Sequence, residues 1–372
     1  MACPPPLPIE GFDHSARTRT AVLMVQLGTP AAPTAQAVRP YLAQFLGDPR
    51  VVEIPRLLWW PILHGIILNT RPAKSARKYA SVWTDEGSPL MVHSVRQAKL
   101  LRGWLGERGH DVEVALAMRY GEPSIESVLT ELQSRQVDRL LVLPMYPQYS
   151  ASTTATVFDE VGRVLRGWRN LPELRWVRSF HADDGYIDAL AEQVRAHWAR
   201  EGRAEKLLMS FHGVPRRTLD LGDPYHCECH VTARRVAERL GLDRGDWLVT
   251  FQSRFGKAQW LQPYTEPTLE KLAREGVKSV DAFCPGFVSD CLETLEEIAM
   301  EAQEAFTEAG GERFRYIPCL NEAPAFIDGL ASLVERQLSG WPTQRLEGEA
   351  LAQRERALME RRARAMAMGA PG

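Results

Sequence analysis

The sequence is poor in cysteine and lacks the features of an exported protein. Its six cysteines are scattered over 372 residues, which does not make a disulfide framework. The first residues, Met1–Pro6, contain neither a basic segment nor an apolar one, so no secretory signal is recognisable. We therefore expect a cytoplasmic protein whose cysteines are thiols or ligands.

Neither sign of charge predominates, and the main apolar run is short. The formal net charge is −2, which gives no electrostatic reason to expect a nucleic-acid partner. The run Leu57–Leu68 holds twelve residues without a formal charge, too few to span a bilayer, and Pro61 and Gly65 interrupt it. With 45% hydrophobic and 25% charged residues, the composition is that of a globular protein long enough for two domains.

The two halves of the chain nearly repeat each other. Four landmarks recur in the same order: Val22–Pro30 with Leu207–Pro215, Arg119–Gly121 with Arg254–Gly256, Pro147 with Pro285, and Tyr186–Leu190 with Phe326–Leu330. The first pair is offset by 185 residues (212 − 27), and the others by 135 (254 − 119), 138 (285 − 147) and 140 (326 − 186). The first half therefore carries an insertion of about 45 to 50 residues, placed roughly at 39–90.

Short apolar runs alternate with long amphipathic segments in both halves, the pattern of parallel βαβ units. Strands are predicted near 20–26, 112–118, 139–144 and 174–179, and near 206–211, 246–251, 278–284 and 313–318. We predict an α/β fold of two Rossmann-like, doubly wound domains with parallel four-stranded sheets, related by pseudo-symmetry. The predicted divisions are an N-terminal tail (1–19), a first domain (20–186) with the insertion, a second domain (187–338) and a charged C-terminal tail (339–372).

His212 is the first candidate for chemistry. It directly follows the predicted strand Lys206–Phe211, and parallel sheets bind ligands at the carboxyl ends of their strands. A neutral imidazole is the natural proton acceptor near pH 7. The alternative is a histidine that only hydrogen-bonds its own turn. The equivalent residue in the first half is Leu27, so the turn itself does not need a histidine.

Glu293 is the second candidate. The spacing Asp290-x-x-Glu293 predicts a capping box, with Asp290 at the N-cap and Glu293 reaching back to it. Further glutamates follow on one predicted helical face: Glu297, Glu301 and Glu304. Such a stripe is either a solvated surface or a ladder for a divalent cation or departing protons. The first half has Ala155 at the position of Glu293, so only the second half carries these groups.

The insertion favours a large apolar ligand. Its apolar run is either a buried helix or the lip of a hydrophobic pocket that also touches a membrane surface. The second half closes its core without it, which favours the lip. Cations that could meet ligand carboxylates, and aromatic side chains that could wall a pocket, are Arg71, Lys74, Arg119, Tyr120 and Trp260.

The segment His226-Cys227-Glu228-Cys229-His230 is the most tempting metal motif. Its Cys-x-Cys spacing differs from that of common zinc sites, and no second cluster completes it. We therefore expect an ordinary loop followed by a helix over Val231–Leu240, rather than a metal site.

Several ordered motifs resemble those of the ferrochelatase family. They are Leu27–Pro30, Gly87–Leu90, Tyr146–Ser150, Ser210–Pro215, Gly222–Tyr225, Phe251–Gly256 with Trp260-Leu261, and Pro285–Leu295. The resemblance runs from about Ala21 to about Leu338. It implies the two-domain chelatase fold and a lyase that inserts Fe²⁺ into protoporphyrin IX, the terminal step of haem biosynthesis, with release of two protons.

The resemblance also implies roles for individual residues. His212 would accept pyrrole protons, with Glu293 as its carboxylate partner. Residues implied to handle the metal are His212, Glu293, Glu297 and Glu301. Residues implied to contact the porphyrin are Leu27, Arg71, Lys74, Arg119, Tyr120 and Trp260. The insertion matches the pocket lip, so the expected partners are protoporphyrin IX and Fe²⁺, with peripheral membrane contact at the inner face as a further expectation.

Three departures from the family leave alternatives open. Many relatives hold a [2Fe-2S] cluster on a C-terminal cysteine extension, but this tail has no cysteine and Ala151 stands at the internal position. That cluster is therefore not expected, although Cys227 and Cys229 leave another arrangement open. Some relatives have histidine where Cys291 stands. The alternatives are a coproporphyrin ferrochelatase, a chelatase for another tetrapyrrole or for cobalt, a non-catalytic tetrapyrrole carrier, and a sugar-binding protein.

Overall fold

Two parallel four-stranded sheets form the framework of the protein. A computed structural model describes residues 13, 16, 17 and 19–370, so most of the predicted N-terminal tail lies outside it. The first sheet has the order β2-β1-β3-β4 and the second the order β6-β5-β7-β8. The strands are β1 Thr20–Gly28, β2 Glu113–Tyr120, β3 Arg139–Pro144, β4 Glu173–Trp176, β5 Lys206–His212, β6 Trp247–Gln252, β7 Ser279–Phe283 and β8 Arg313–Tyr316. The predicted fold class and all eight strands are confirmed.

Helices cover both sheets, as parallel pairing requires. They are α1 Ala35–Gly47, α2 Arg56–Ile62, α3 Leu68–Val82, α4 Pro89–Glu107, α5 Ile125–Ser134, α6 Thr156–Leu165, α7 Asp184–Glu201, α8 Arg216–Asp220, α9 Tyr225–Leu240, α10 Thr265–Arg274, α11 Leu292–Leu295, α12 Gln303–Glu308, α13 Pro324–Leu338 and α14 Gly348–Ala367. Short π-helical segments lie at Leu63–Ile67, Ala151–Ala155 and Glu297–Ala302.

The two halves meet through equivalent helices. Helix α7 packs against α13, and the aromatic rings of Tyr186 and Phe326, which are paired landmarks of the repeat, lie 6.2 Å apart. Gly185 and Gly329 allow the close approach, because a Cβ on Gly185 would lie 2.7 Å from the Gly329 Cα atom. One buried cluster contains residues from both halves. The division between residues 186 and 187 falls inside α7 and stays a prediction.

The insertion is a helical layer with two apolar faces. One face packs into a core with Trp59, Leu63 and Tyr79, and the Trp59 indole donates a hydrogen bond to the Leu46 carbonyl at 2.7 Å. On the other face, the Leu57 side chain remains 91% exposed. The packed face therefore matches the prediction of a buried helix, and the exposed face matches the prediction of a pocket lip. Among the helices described, none is long and apolar enough to cross a membrane.

The segment His226–His230 is helical, so the predicted loop is wrong. Helix α9 begins at Tyr225 and includes the whole segment. It starts early because Asp223 accepts a hydrogen bond from the Tyr225 backbone N–H at 3.0 Å, and Cys229 on the inner face is completely buried. Burial of that face stabilises a turn that the polar, histidine-rich sequence does not suggest.

Candidate active site

His212 ends β5 at the carboxyl edge of the second sheet. Its Nδ1 atom lies 2.6 Å from the Gly213 carbonyl oxygen. Because a carbonyl can only accept, Nδ1 carries the proton and Nε2 of the neutral ring keeps its lone pair. The Tyr225 hydroxyl fixes the backbone here by donating to the His212 carbonyl at 3.0 Å. The ring of Trp260 lies beside the imidazole, with 6.5 Å between ring centroids.

The surroundings of His212 favour its neutral form. Burial lowers the pKa of the imidazole, and the negative charge of Glu293 opposes this shift without cancelling it. A lowered pKa leaves the ring unprotonated at neutral pH. The Nε2 atom is therefore available as a base where the strand opens into the cleft.

Helix α11 brings Glu293 to the same edge, but the predicted capping box is wrong. The cap residue is Cys291, whose backbone N–H donates to the Thr294 hydroxyl at 3.0 Å. Asp290 instead accepts hydrogen bonds from Asn321 and Tyr316. The charge of the Glu293 carboxylate instead acts on His212 and on the buried thiol of Cys291.

Glu297 lies next along the acidic ridge, the name used here for Glu293, Glu296, Glu297 and Glu301. Its carboxylate accepts hydrogen bonds from the Ser253 hydroxyl and from the Gln252 amide, the latter at 3.1 Å. Burial, and to a lesser degree the charge of Glu293, raises the pKa of Glu297 to about 7. Near neutral pH this group is therefore present in both protonation states, as a proton relay requires.

A π-helical segment changes the predicted face of the glutamate stripe. The Glu301 backbone N–H donates to the Glu296 carbonyl at 2.9 Å, a bond across five residues instead of four. Glu296, which the α-helical period leaves out, consequently joins Glu301 on the ridge. Glu304 is not part of the ridge. It lines an adjoining groove of about 410 Å³ with Glu266, Glu270, Glu301 and Glu308.

The insertion faces the ridge with cations. The Arg71 guanidinium lies over the Phe255 ring, 4.7 Å from its centroid. Burial lowers the pKa of Arg71, and the charge of Glu297 opposes that shift, so the two groups act on one another. Lys74, one turn further along α3, is exposed, and no ion pair ties it to the described part of the chain.

Arg119 and Tyr120 are held by a residue that the sequence did not single out. The Asp48 carboxylate accepts from the Arg119 guanidinium at 2.5 Å and from the Tyr120 hydroxyl at 3.0 Å. Burial raises the pKa of the Tyr120 hydroxyl, which keeps it a neutral donor. Leu27 packs at the margin of the same core. The only sequence signal for Asp48 is its position in a Gly-Asp-Pro turn, which does not predict its partners.

The five described cysteines differ in exposure and are not gathered into one set of ligands. Cys227 is exposed, whereas Cys229, Cys284, Cys291 and Cys319 are buried. Within the residues that the structure describes, no three Cys, His, Asp or Glu side chains converge on one point as metal ligands. A cluster needs four protein ligands. The same holds for His212, Glu293, Glu297 and Glu301, which do not converge as a set of three ligands in the described residues.

Comparisons with known proteins identify the family and the fold. A family model described as "Ferrochelatase" matches residues 19–338. A ferrochelatase of Polaromonas sp. (strain JS666) is 60% identical over 369 residues, which are 98% of this chain and 99% of the relative. One of Azoarcus sp. (strain BH72) is 61% identical over 357 residues, 96% of each chain. Among solved structures, SirB from Bacillus subtilis with Fe³⁺ shares the fold, with a TM-score of 0.52 and 12% identity over 88% of this chain and 99% of that one.

Proposed function

The chain belongs to the ferrochelatase family, and we propose that it inserts Fe²⁺ into protoporphyrin IX to form protohaem. Iron insertion into a porphyrin for haem synthesis is the lyase activity of this family. The observation that carries the proposal is the Nε2 atom of His212, an unprotonated base beside Glu293 at the carboxyl edge of the second sheet. The first half has Leu27 and Ala155 at these positions and cannot do this chemistry.

The proposed mechanism follows from the charge balance. Fe²⁺ replaces two pyrrole N–H protons, so two groups must accept protons while the ring stays neutral overall. His212 takes the first proton at Nε2, and Glu297, with a pKa of about 7, takes the second through the ridge. A planar ring keeps its nitrogen lone pairs in the plane. Walls such as Trp260 and the insertion therefore use binding free energy to bend the ring and expose them.

Arg71 and Lys74 are proposed to bind the two propionates of the substrate. Neither cation has a carboxylate partner within hydrogen-bonding distance in the described part of the chain, whereas Arg119 is already neutralised by Asp48. We assign Arg119 and Tyr120 to the floor of the pocket, where hydrogen bonds to Asp48 hold both side chains in place. Arg71 and Lys74 beside an apolar insertion suit a porphyrin with two carboxylates better than coproporphyrin, which has four.

Purified protein is expected to metallate protoporphyrin IX faster than coproporphyrin III. The assay mixes the protein with Fe²⁺ under anaerobic conditions and follows the porphyrin absorbance with each substrate in turn. A higher kcat/KM for coproporphyrin III would overturn the choice of substrate but not the chelatase activity. Binding of porphyrin without metallation would instead support a carrier.

We also propose that the protein is a cytoplasmic enzyme that binds peripherally to the inner face of the membrane. The exposed face of the insertion would make this contact. Leu57 is 91% and Leu58 64% exposed, and Trp60 and Ile66 extend the same surface. Apolar side chains of this kind bury in the boundary between headgroups and acyl chains.

Substitution of Leu57 by Ser is expected to weaken binding to phospholipid vesicles by at least about tenfold, since a buried Leu contributes roughly 1.5–3 kcal/mol. Co-sedimentation measures this, with Leu171→Ser as the matched control because Leu171 is 60% exposed away from the insertion. Equal binding of the two variants would contradict the proposal.

A further inference from the structure

Lys78 ties the insertion to the acidic ridge. It lies on α3, and its ammonium is 2.7 Å from the Glu296 carboxylate and 2.9 Å from that of Glu301. Both partners belong to the second half of the chain, more than 200 residues away. The π-helical segment creates this arrangement, because its bond across five residues places Glu301 next to Glu296.

The Lys78 ammonium lies between the inner and outer parts of the ridge. Its charge acts on Glu297, next to the catalytic edge, and also on Glu266 in the outer groove. Glu296 is the most enclosed partner, with 10% of its side chain exposed, whereas Glu301 is 43% exposed. The Lys78 ammonium is therefore the cation that neutralises the enclosed Glu296 carboxylate.

We propose that Lys78 is a gating residue for iron. The inference rests on the proposed function, in which the ridge carries Fe²⁺ inward or protons outward. The ammonium occupies carboxylate oxygens that are also the ligands a hard divalent ion prefers, so an arriving ion has to displace it. Displacement also breaks the two ion pairs through which Lys78 joins α3 to the ridge. Iron uptake and the position of the insertion are thereby coupled through one side chain.

The Lys78→Met variant separates this role from a structural one. It keeps the length of the side chain and removes the charge, so the ridge loses its competing cation. We expect the KM for Fe²⁺ to fall about fivefold, because that factor corresponds to the free energy of a partly exposed ion pair. The KM for porphyrin should not change. Lys78→Arg should restore the wild-type value. Arg77→Met is the matched control, because Arg77 is the preceding residue on α3, is exposed and makes no ion pair in the described part of the chain.

Binding of Mn²⁺ to the porphyrin-free protein tests the gate without relying on catalysis. Electron paramagnetic resonance should show about fivefold tighter binding in Lys78→Met than in Arg77→Met, and a further Glu301→Gln change should abolish the gain. Equal Mn²⁺ affinities in the two variants would overturn the proposal. If the wild-type protein fails to metallate porphyrin, the proposed function fails, yet the Mn²⁺ comparison still decides the role of Lys78. Lys78→Gln replaces Lys78→Met should the latter not fold.

Discussion

Replacement of His212 by Ala is expected to slow iron insertion by about 10²- to 10⁴-fold, the usual contribution of a general base. Porphyrin binding should persist, because Trp260 and the insertion remain in place. The rate is measured anaerobically with Fe²⁺, and binding by the change in porphyrin absorbance. The reason is that, among the described residues, Nε2 of His212 is the unprotonated imidazole nitrogen beside Glu293 at the strand edge.

The pH profile refines this expectation. The base form of His212 is lost on acidification through its pKa, which burial places below the ordinary imidazole value of about 6.5. If proton transfer to His212 limits the rate, activity should stay constant as the pH falls to about 6.5 and decline only at lower pH. A decline centred near pH 7 would instead assign the limiting proton to Glu297, whose pKa is about 7.

His230→Ala is the control for this substitution. His230 is an exposed histidine on α9 and lies on the same half of the chain, so its loss should leave the rate unchanged. Substantial residual chelation by His212→Ala would mean that another group accepts the pyrrole protons. Normal porphyrin binding with no metallation even in the wild-type protein would favour a carrier.

Substitution of Asp48 by Ala is expected to lower the free energy of unfolding by about 3–5 kcal/mol, the cost of breaking a buried ion pair from one side. Only 5% of the Asp48 side chain and 14% of the Arg119 side chain are exposed. Without Asp48 the Arg119 guanidinium keeps its charge in a buried place, and the Tyr120 hydroxyl loses its acceptor. Urea denaturation measures the change.

Asp159→Ala provides the matched comparison. Asp159 also pairs with an arginine, Arg50, but the two side chains are 46% and 40% exposed. Water screens such a pair, so its loss should cost less than about 1 kcal/mol. Equal destabilisation by the two substitutions would contradict the buried-pair account. It would also return Arg119 to the candidates for direct propionate binding.

Much of the framework could be predicted because it depends on local periodicity. Alternating apolar and amphipathic segments predicted all eight strands, and the offsets between repeated landmarks located the insertion. His212 was predictable for the same reason. A residue directly after a buried parallel strand lies at the carboxyl edge of its sheet, whatever the rest of the chain does.

Other features depended on contacts between distant segments. The sequence predicted Asp290 as a helix cap, yet Asn321 and Tyr316 compete for its carboxylate, and Cys291 takes the cap instead. The loop predicted at His226–His230 is helical because its inner face is buried. Neither the hydrogen bonds to Asp290 nor the burial of this face can be predicted from neighbouring residues alone.

Local sequence patterns were enough to predict the two sheets, the family and the position of His212 and Glu293 in the second half. Which charged side chains are already neutralised depends on contacts that form only when the chain folds. Arg119 and Tyr120 are bound by Asp48, and Lys78 by Glu296 and Glu301. Arg71 and Lys74 have no such carboxylate partner in the described part of the chain, which is why we propose them as the propionate contacts. The physical reason is that a charge is neutralised by whatever lies within a few ångströms, and here each partner comes from a remote part of the chain.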